Sequence, residues 1–338
     1  MVQTLDELNI LKGSKIFVTG CAGFIGARTC EILLNFGINV VGMDNLNDYY
    51  SPEIKIFRLE TLKRNANFYF IEGDIEDQLI IEKIFQENQF FAVINLAARA
   101  GVRASMLDPY IYLSTNTKGT LNVLECMRKY GVKKIVLAST SSLYAGEEMP
   151  FRESLAVNNP ISPYACSKKA AELLCYNYHF HYGIDVSIVR YFTVYGPAGR
   201  PDMGYFRFIN WIDTEEPIRL FGSGQQSRDF TYVDDIAIGT IKALKVLGYE
   251  IINLGGGKQP ISINYMIEII EKILNKRAII HREEFNKSDM DSTWADISKA
   301  KELLNWQPTI EIEKGLSNCV DWYLDNKNWL DKLKFDNN

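Results

Sequence analysis

The chain has 338 residues, of which 47% are hydrophobic and 23% charged, a composition typical of a folded globular protein rather than a disordered or fibrous one. Its formal net charge of −5 gives no reason to expect nucleic acid as a partner, and no apolar stretch is long enough to span a membrane. The six cysteines lack C-x-x-C spacing and the three histidines form no ligand pattern, so we expect reduced thiols, a cytoplasmic protein and no metal site.

Strands and helices alternate along the first 192 residues. Runs rich in β-branched and aromatic residues predict strands, and apolar residues at helical spacing predict the helices between them. Alternating units of this length are typical of an α/β fold with a doubly wound, parallel, Rossmann-type sheet. The predicted strands cover residues 14–19, 38–44, 68–73, 91–98, 133–140 and 185–192, and the predicted helices cover 78–88, 109–130 and 163–182.

The pattern changes after residue 193. The stretch 195–204 is rich in turn residues, and the elements after it are short, apart from helices predicted near 233–247 and 262–275. Because one hydrophobic core stops growing at about 250–300 residues, we expect an NAD-binding Rossmann domain over 1–192 and a second, smaller substrate-binding lobe over 193–338. Part of that lobe, about 233–256, is expected to return to the first domain, since IINLGG (251–256) has the composition of a strand.

A glycine-rich turn follows the first predicted strand. Gly20, Gly23 and Gly26 lie between that strand and a helix, an arrangement that lets backbone N–H groups approach the pyrophosphate of a dinucleotide. Asp44 ends the second strand, where a carboxylate binds ribose hydroxyls and repels a 2′-phosphate, which favours NAD over NADP. Asp44 followed by Asn45 is also good turn chemistry. Asp74, after the third strand, either reaches the adenine or has only a local role.

Tyr164 and Lys168 are four residues apart on the predicted helix 163–182 and so share one of its faces. A tyrosine normally has a pKa of about 10. A lysine charge and a positively charged nicotinamide ring would both favour the phenolate, which could then remove a proton from a substrate alcohol. Thr140, at the end of strand 133–140, could bridge the substrate hydroxyl and the phenol. Alone, this tyrosine and lysine are equally consistent with a pair on the protein surface.

Several strings resemble the extended short-chain dehydrogenase/reductase family over nearly the whole chain. They are TGCAGFIG (19–26), NLAA (95–98), YACSK (164–168) and RDFTYVDD (228–235). The strings at 44–59, 97–105, 149–151 and 190–208 resemble the members that epimerise UDP-glucuronate at C4. The resemblance implies tightly bound NAD that is recycled in each turnover, Tyr164 as the base, Lys168 on the nicotinamide ribose and Thr140 as hydrogen-bond partner. The expected cofactor-binding residues are Gly20, Gly23, Phe24, Ile25, Gly26, Asp44, Asn45, Asn47, Asp74, Ile75, Leu96, Ala97, Ala98, Tyr164, Lys168 and Tyr191.

The implied substrate is a UDP-hexuronic acid, oxidised at C4 and reduced again from the other face. Its 4-keto intermediate is a β-keto acid that loses CO₂ unless its carboxylate is held. Ser141, Ser142, Thr193 and Arg200 are the expected donors to that carboxylate, because hydroxyl groups and a guanidinium bind carboxylates well. Arg200 is also consistent with a surface arginine in a turn.

The nucleotide end of the substrate requires positive charge. Arg207 and Arg228 are expected at the diphosphate and Phe221 against the uracil, although each is also consistent with an ordinary surface arginine or a core aromatic residue. Asp289 is the last candidate, in a Ser-Asp-Met stretch where similar enzymes have Gly-Asp-Val.

Other functions remain open. A UDP-glucose 4-epimerase would use the same chemistry on a neutral sugar, but such enzymes tend to have asparagine in place of Thr193. A UDP-glucuronate decarboxylase would need an additional acid/base pair, and a 4,6-dehydratase would need acids in place of Ser141 and Ser142. An NAD-binding sensor or scaffold would perform no turnover, but such proteins usually lose the pair formed by Tyr164 and Lys168.

Two long predicted helices bear on assembly. Helices 109–130 and 163–182 both carry apolar faces, and in similar proteins two such helices from each chain form a four-helix bundle. The sequence therefore predicts a homodimer, although these faces could instead be buried within one chain.

Overall fold

A seven-stranded parallel sheet forms the centre of the molecule in a computed structural model that describes residues 11–284 and 290–333. Its strands are β1 (Lys15–Thr19), β2 (Asn39–Asp44), β3 (Phe68–Glu72), β4 (Ala92–Asn95), β5 (Lys134–Thr140), β6 (Asp185–Tyr191) and β11 (Tyr249–Leu254). Their order across the sheet is β11-β6-β5-β4-β1-β2-β3, and every neighbouring pair is parallel. The predicted α/β fold with a doubly wound, Rossmann-type sheet is confirmed.

Helices cover both faces of the sheet. They are α1 (Phe24–Asn35), α2 (Pro52–Lys63), α3 (Gln78–Glu87), α4 (Val102–Leu107), α5 (Pro109–Tyr112), α6 (Gly119–Tyr130) and α7 (Pro163–Tyr182) in the first part of the chain. In β1, Ile16 and Val18 join one core with α1, whereas Phe17 points to the other face and joins a second core with α3, α6 and α7. Successive side chains of a strand point to opposite faces of the sheet. Because both faces are buried here, the strand sequences are continuously apolar.

The predicted helix 109–130 is interrupted. Residues Leu113–Lys118 form a π-helical segment between α5 and α6, and this segment packs against α7. Such wide turns are frequent at functional sites. Here the segment carries Asn116, whose amide binds Ser167 on α7, so the irregular turn connects directly to the helix that bears Tyr164 and Lys168.

The second half of the chain builds a smaller layer with its own core. Its further strands are β7 (Thr193–Tyr195), β8 (Pro217–Phe221), β9 (Ser227–Arg228), β10 (Phe230–Tyr232), β12 (Ile261–Ser262) and β13 (Ile279–Glu283). Its helices are α8 (Gly204–Asp213), α9 (Val233–Lys242), α10 (Ile263–Leu274), α11 (Ser298–Leu304) and α12 (Ile312–Leu330). Apolar side chains of α8, β8, α10 and α12 form the core of this layer.

Two parts of the second half lie with the first. Strand β11 pairs with β6 at the edge of the central sheet, and α9 packs against α1. Among the helices of residues 11–284 and 290–333, none combines the length and the apolar character that a membrane-spanning segment requires.

Candidate active site

The glycine turn lies between β1 and α1, at the carboxyl edge of the sheet where the strand order reverses, which is where ligands bind in folds of this kind. Gly20 has a φ of +71°, a conformation that disfavours any residue with a Cβ. A Cβ on Gly26 would collide with the carbonyl oxygen of Gly20, so only glycine allows α1 to pack this closely against the turn. The N–H groups of residues 20–23 already bond within the protein, so it is the first turn of α1 that can offer backbone N–H groups to a ligand.

Asp44 supports the turn from the end of β2. Its carboxylate accepts hydrogen bonds from the N–H of Ala22 at 3.1 Å and from the N–H of Leu46 at 2.9 Å. Asp44 therefore has the local turn role, and it also lines the cavity above the turn. Asp74 accepts a bond of 2.7 Å from the side-chain amide of Asn45, so it supports a wall residue and does not itself line the cavity.

A cavity of about 450 Å³ opens at the carboxyl edge of the strands. Except for Asp74, every residue expected at the cofactor lines it, and so do Thr140, Ser141, Ser142, Thr193 and Arg200. The structure thus brings together the glycine turn, the ends of β2 and β4 and the face of α7 that carries Tyr164 and Lys168.

The cavity also contains a cation that sequence reasoning missed. Lys55 of α2 is 4% exposed, and its ammonium donates to the backbone oxygen of Asn47 at 2.7 Å and to the side-chain oxygen of Asn47 at 3.0 Å. Burial lowers its pKa to about 8. A pyrophosphate in this cavity would meet both this lysine and the N–H groups of the first turn of α1.

Tyr164 and Lys168 begin α7, which starts with a cap formed by Ser162. The Ser162 hydroxyl accepts from the N–H of Ala165, and Pro163 occupies the first helical position, so the sequence itself fixes the start of the helix. The Lys168 ammonium donates to the carbonyl oxygen of Ala138 on β5 at 2.7 Å. This bond ties α7 to the strand that ends at Thr140.

Burial controls the protonation of both side chains. It lowers the pKa of Lys168 to about 8, although the nearby Glu172 carboxylate acts in the opposite direction. It raises the pKa of Tyr164, whereas a hydrogen bond with Thr140 lowers that pKa. The phenol is therefore protonated at neutral pH in this site unless a further positive charge binds beside it.

A buried polar network lies behind these residues, and sequence reasoning missed it. Glu172, one helical turn after Lys168, accepts 2.9 Å and 2.8 Å bonds from Arg190 and a 2.6 Å bond from Ser139. Arg190 donates a further bond of 2.8 Å to the Tyr144 hydroxyl. The members of the network are far apart in the sequence, so no local pattern predicts it. A glutamate (Glu172) and an arginine (Arg190) within otherwise apolar segments are the sequence feature that points to a buried ion pair.

A second cavity, of about 970 Å³, adjoins the first and extends into the smaller layer. Ser141, Ser142 and Thr193 line both cavities. Four arginines line the second one, although the protein is negative overall: Arg103, Arg207, Arg219 and Arg228. Phe221 also lines it, and the Arg103 guanidinium lies 4.3 Å from the centre of its ring. Arg103 and Arg219 were not predicted, and Asp289 lies outside the described residues.

Arg200 lines the first cavity, and its partner Asp202 lines both. The Arg200 side chain is 18% exposed and forms an ion pair with Asp202, with its Nε atom 3.0 Å from a carboxylate oxygen. The guanidinium lies over the rings of Tyr49, at 5.2 Å, and Tyr50, at 5.7 Å. It is therefore held at the site rather than on an exposed surface. The ion pair joins residues only two positions apart, in the sequence Arg200-Pro201-Asp202.

Residues 16–255 match the pattern of the family described as NAD dependent epimerase/dehydratase. The chain belongs to this family. A relative from Thermodesulfobacterium geofontis, named UDP-glucuronate 4-epimerase, is 58% identical over 317 residues, covering 94% of this chain and 98% of the relative.

Members of the family with solved structures superpose closely. UDP-glucuronic acid 4-epimerase from Bacillus cereus, in complex with UDP-glucuronic acid and NAD, has a TM-score of 0.87 and 38% identity, covering 92% of this chain and 99% of that one. UDP-glucose 4-epimerase from Thermotoga maritima, solved with UDP-glucose, has a TM-score of 0.84 and 31% identity over 93% of this chain and 99% of that one.

Proposed function

We propose that this protein is an NAD-dependent UDP-glucuronate 4-epimerase, which interconverts UDP-glucuronate and UDP-galacturonate. The observation that carries the proposal is the junction of the two cavities, where Ser141, Ser142 and Thr193 offer three hydroxyl groups between the cofactor side and the arginine-lined side. The relative from T. geofontis and the B. cereus enzyme solved with UDP-glucuronic acid and NAD support the same substrate and cofactor.

The cofactor-binding residues fit NAD. The first turn of α1 offers N–H groups to a pyrophosphate, and Asp44 lines the cavity where ribose hydroxyls would lie and a 2′-phosphate would be repelled. When bound, NAD accepts a hydride from C4 of the sugar and returns it, so the overall reaction needs no external oxidant. The tight retention of NAD between turnovers is part of the proposal.

The residues of α7 and β5 handle the proton. Tyr164 removes the proton of the C4 hydroxyl as the hydride leaves, and it gives the proton back when the hydride returns to the other face of the sugar. Thr140 donates a hydrogen bond that stabilises the phenolate. A protonated Lys168 on the same face of α7 adds a positive charge that favours it further. Between the two steps the 4-keto sugar turns about its diphosphate, for which the adjoining 970 Å³ cavity provides room.

The carboxylate of the substrate is the chemical hazard, because a 4-keto uronate is a β-keto acid. Ser141, Ser142 and Thr193 donate hydrogen bonds to it, and Arg200 lies on the cofactor side of the same junction. At the other end of the substrate, Arg207 and Arg228 neutralise the diphosphate, and Phe221 packs against the uracil.

The test is to incubate the purified protein, without added cofactor, with UDP-glucuronate and separately with UDP-glucose. The products are resolved by chromatography and identified by NMR, with Tyr164→Phe as the inactive control. UDP-galacturonate from the first substrate alone is expected. UDP-galactose from the second alone would contradict the choice of a uronate, a pentose product would indicate a decarboxylase, and binding of NAD without turnover would indicate a sensor or scaffold.

The proposed assembly is a homodimer, and exposed apolar side chains support it. On α7, Leu173, Tyr176 and Phe180 share one face and are 57%, 51% and 71% exposed. Tyr110 of α5 is 82% exposed, and Leu113 just after it is 46% exposed. Helices 109–130 and 163–182 of two chains would bury these side chains in a four-helix bundle.

Two further parts of the proposal concern the division of the chain and its location. Residues 1–192 hold the cofactor and 193–338 mainly the nucleotide sugar, with 233–256 returning to the first domain; the pairing of β11 with β6 supports this. The cytoplasm is the proposed location, in keeping with six cysteines that are all unpaired thiols.

A further inference from the structure

Arg58 of α2 is a buried cation outside the residues assigned so far. It is 5% exposed and donates four hydrogen bonds, none of them to a carboxylate. The acceptors are the backbone oxygens of Ala22 at 3.1 Å, Ala198 at 2.9 Å and Gly199 at 3.0 Å, and the hydroxyl of Tyr50 at 2.9 Å. A buried charge that binds three carbonyl groups fixes the backbone at each of them, because breaking any one bond leaves part of the charge unsatisfied.

The three carbonyl acceptors belong to two different parts of the site. Ala22 is in the glycine turn, and its N–H is the group that Asp44 binds. Ala198 and Gly199 directly precede Arg200 in a loop of the second half of the chain. Arg58 therefore holds the cofactor turn and the loop of Arg200 at a fixed separation, although Arg58 and Ala198 are 140 positions apart in the sequence.

Arg58 also supports Arg200 from the side. Tyr50, which accepts a bond from Arg58, is one of the two rings over which the Arg200 guanidinium lies. The backbone of the loop requires such support, because Ala198 adopts a φ of +51°, an unfavourable conformation for a residue with a Cβ. Both the backbone before Arg200 and the ring beneath it are thus held by one side chain.

We propose that Arg58 is a positioning residue that fixes Arg200 against the substrate carboxylate and thereby suppresses decarboxylation of the 4-keto intermediate. This inference rests on the proposed epimerase function. Arg58 itself does not contact the carboxylate. It acts through Arg200 and the loop before it, and in this way controls which product forms.

The competing reaction defines what Arg58 would prevent. In the 4-keto uronate, the bond between C5 and C6 breaks, its electron pair moves into an enolate at C4 and C5, and C6 leaves as CO₂. The enolate takes a proton from water at C5, which gives a 4-keto pentose. Return of the hydride and of the Tyr164 proton then gives a UDP-pentose. Decarboxylation requires the C5–C6 bond to lie parallel to the π orbitals of the C4 carbonyl group. When the carboxylate is held in the plane of the ring, this alignment is lost, so the position of the carboxylate decides whether CO₂ is released.

The test measures the ratio of UDP-pentose to UDP-galacturonate formed from UDP-glucuronate by the holoenzyme, using NMR. Arg58→Lys keeps the charge but cannot make four bonds, and Arg58→Met removes the charge. Arg28→Lys is the matched control, because Arg28 is also an arginine near the glycine turn but its hydrogen bonds run to Asp234 and Glu31. The ratio does not depend on how much of the sample is folded.

A rise of roughly tenfold or more in the pentose fraction is expected for both Arg58 variants, because small displacements of a positioning group have large effects on reaction partition. Arg28→Lys is expected to keep the ratio of the unmodified protein. An unchanged ratio in folded Arg58→Lys, with only a lower rate or lower thermal stability, would overturn the proposal and leave Arg58 a purely structural residue.

Tyr50→Phe provides the test if neither Arg58 variant folds. It removes one of the four acceptors and leaves the other three bonds, so a smaller rise in the pentose fraction is expected and an unchanged ratio contradicts the proposal. The unmodified protein separates this result from the proposed function. If it forms no UDP-galacturonate, the epimerase assignment fails, whereas epimerisation with unchanged ratios in the variants refutes only the role of Arg58.

Discussion

Tyr164 and Lys168 have different protonation requirements within one turn of α7. The phenol must lose its proton to act as a base, although burial raises its pKa, whereas the ammonium must keep its proton, although burial lowers its pKa to about 8. Against burial, Thr140 and the charge of Arg200 lower the pKa of Tyr164, and the carboxylate of Glu172 raises that of Lys168.

Tyr164→Phe removes the proposed base and keeps the shape of the site. Its turnover of UDP-glucuronate is expected to fall by about 10²–10⁴-fold, the usual contribution of a general base, while bound NAD is retained. Single-turnover assays and the absorbance of the bound cofactor measure the two effects. Tyr69→Phe, at an exposed tyrosine of β3, is the control and should keep full activity.

The charge of Lys168 predicts the alkaline limit of activity. Below a pH of about 8 the lysine is protonated and can stabilise the phenolate as the proposed mechanism requires, and above this pH it becomes neutral. We therefore expect kcat/KM to decrease as the pH rises past about 8. Lys168→Arg keeps its charge at high pH. If the decline occurs at the same pH in this variant, its cause is not Lys168.

At the scale of elements, the network of Ser139, Glu172, Arg190 and Tyr144 joins α7 to β5 and β6. Glu172→Gln leaves the buried Arg190 without its carboxylate, and breaking a buried pair of this kind costs about 3–5 kcal/mol in the free energy of unfolding. Urea denaturation of the holoenzyme measures this change. Glu60→Gln, in a pair with Lys63 whose side chains are 58% and 45% exposed, should change the stability little.

Local patterns in the sequence predicted the elements that carry the chemistry. The strand before Gly20 and the helix with Tyr164 and Lys168 have strong local signals, and the structure contains both. Helix α12 was not predicted, because it is half polar and becomes recognisable only when its apolar side packs on α8 and α10. The contacts of Arg58, Glu172 and Asn116 were not predicted either, since each joins residues that are close only after folding.

At the scale of the whole molecule, the exposed faces of α5 and α7 predict the state of assembly. Phe180→Glu places a charge in the proposed interface and is expected to convert a dimer into a monomer, because an unpaired charge is costly to bury. Sedimentation velocity measures the change. Leu79→Glu, at a residue of α3 that is 77% exposed and far from these faces in the sequence, should remain a dimer. A monomeric unmodified protein would refute the predicted assembly.

The four arginines of the second cavity also matter before any contact is made. A chain with a net charge of −5 repels a polyanion on average, but a cleft lined by guanidinium groups focuses an attractive field toward its opening. We therefore expect a nucleotide sugar to be attracted to this opening and oriented with its diphosphate inward before it binds. Dissolved salt screens this long-range capture far more than it affects the bond-making steps inside, so the ionic strength of the cell governs encounter rather than chemistry.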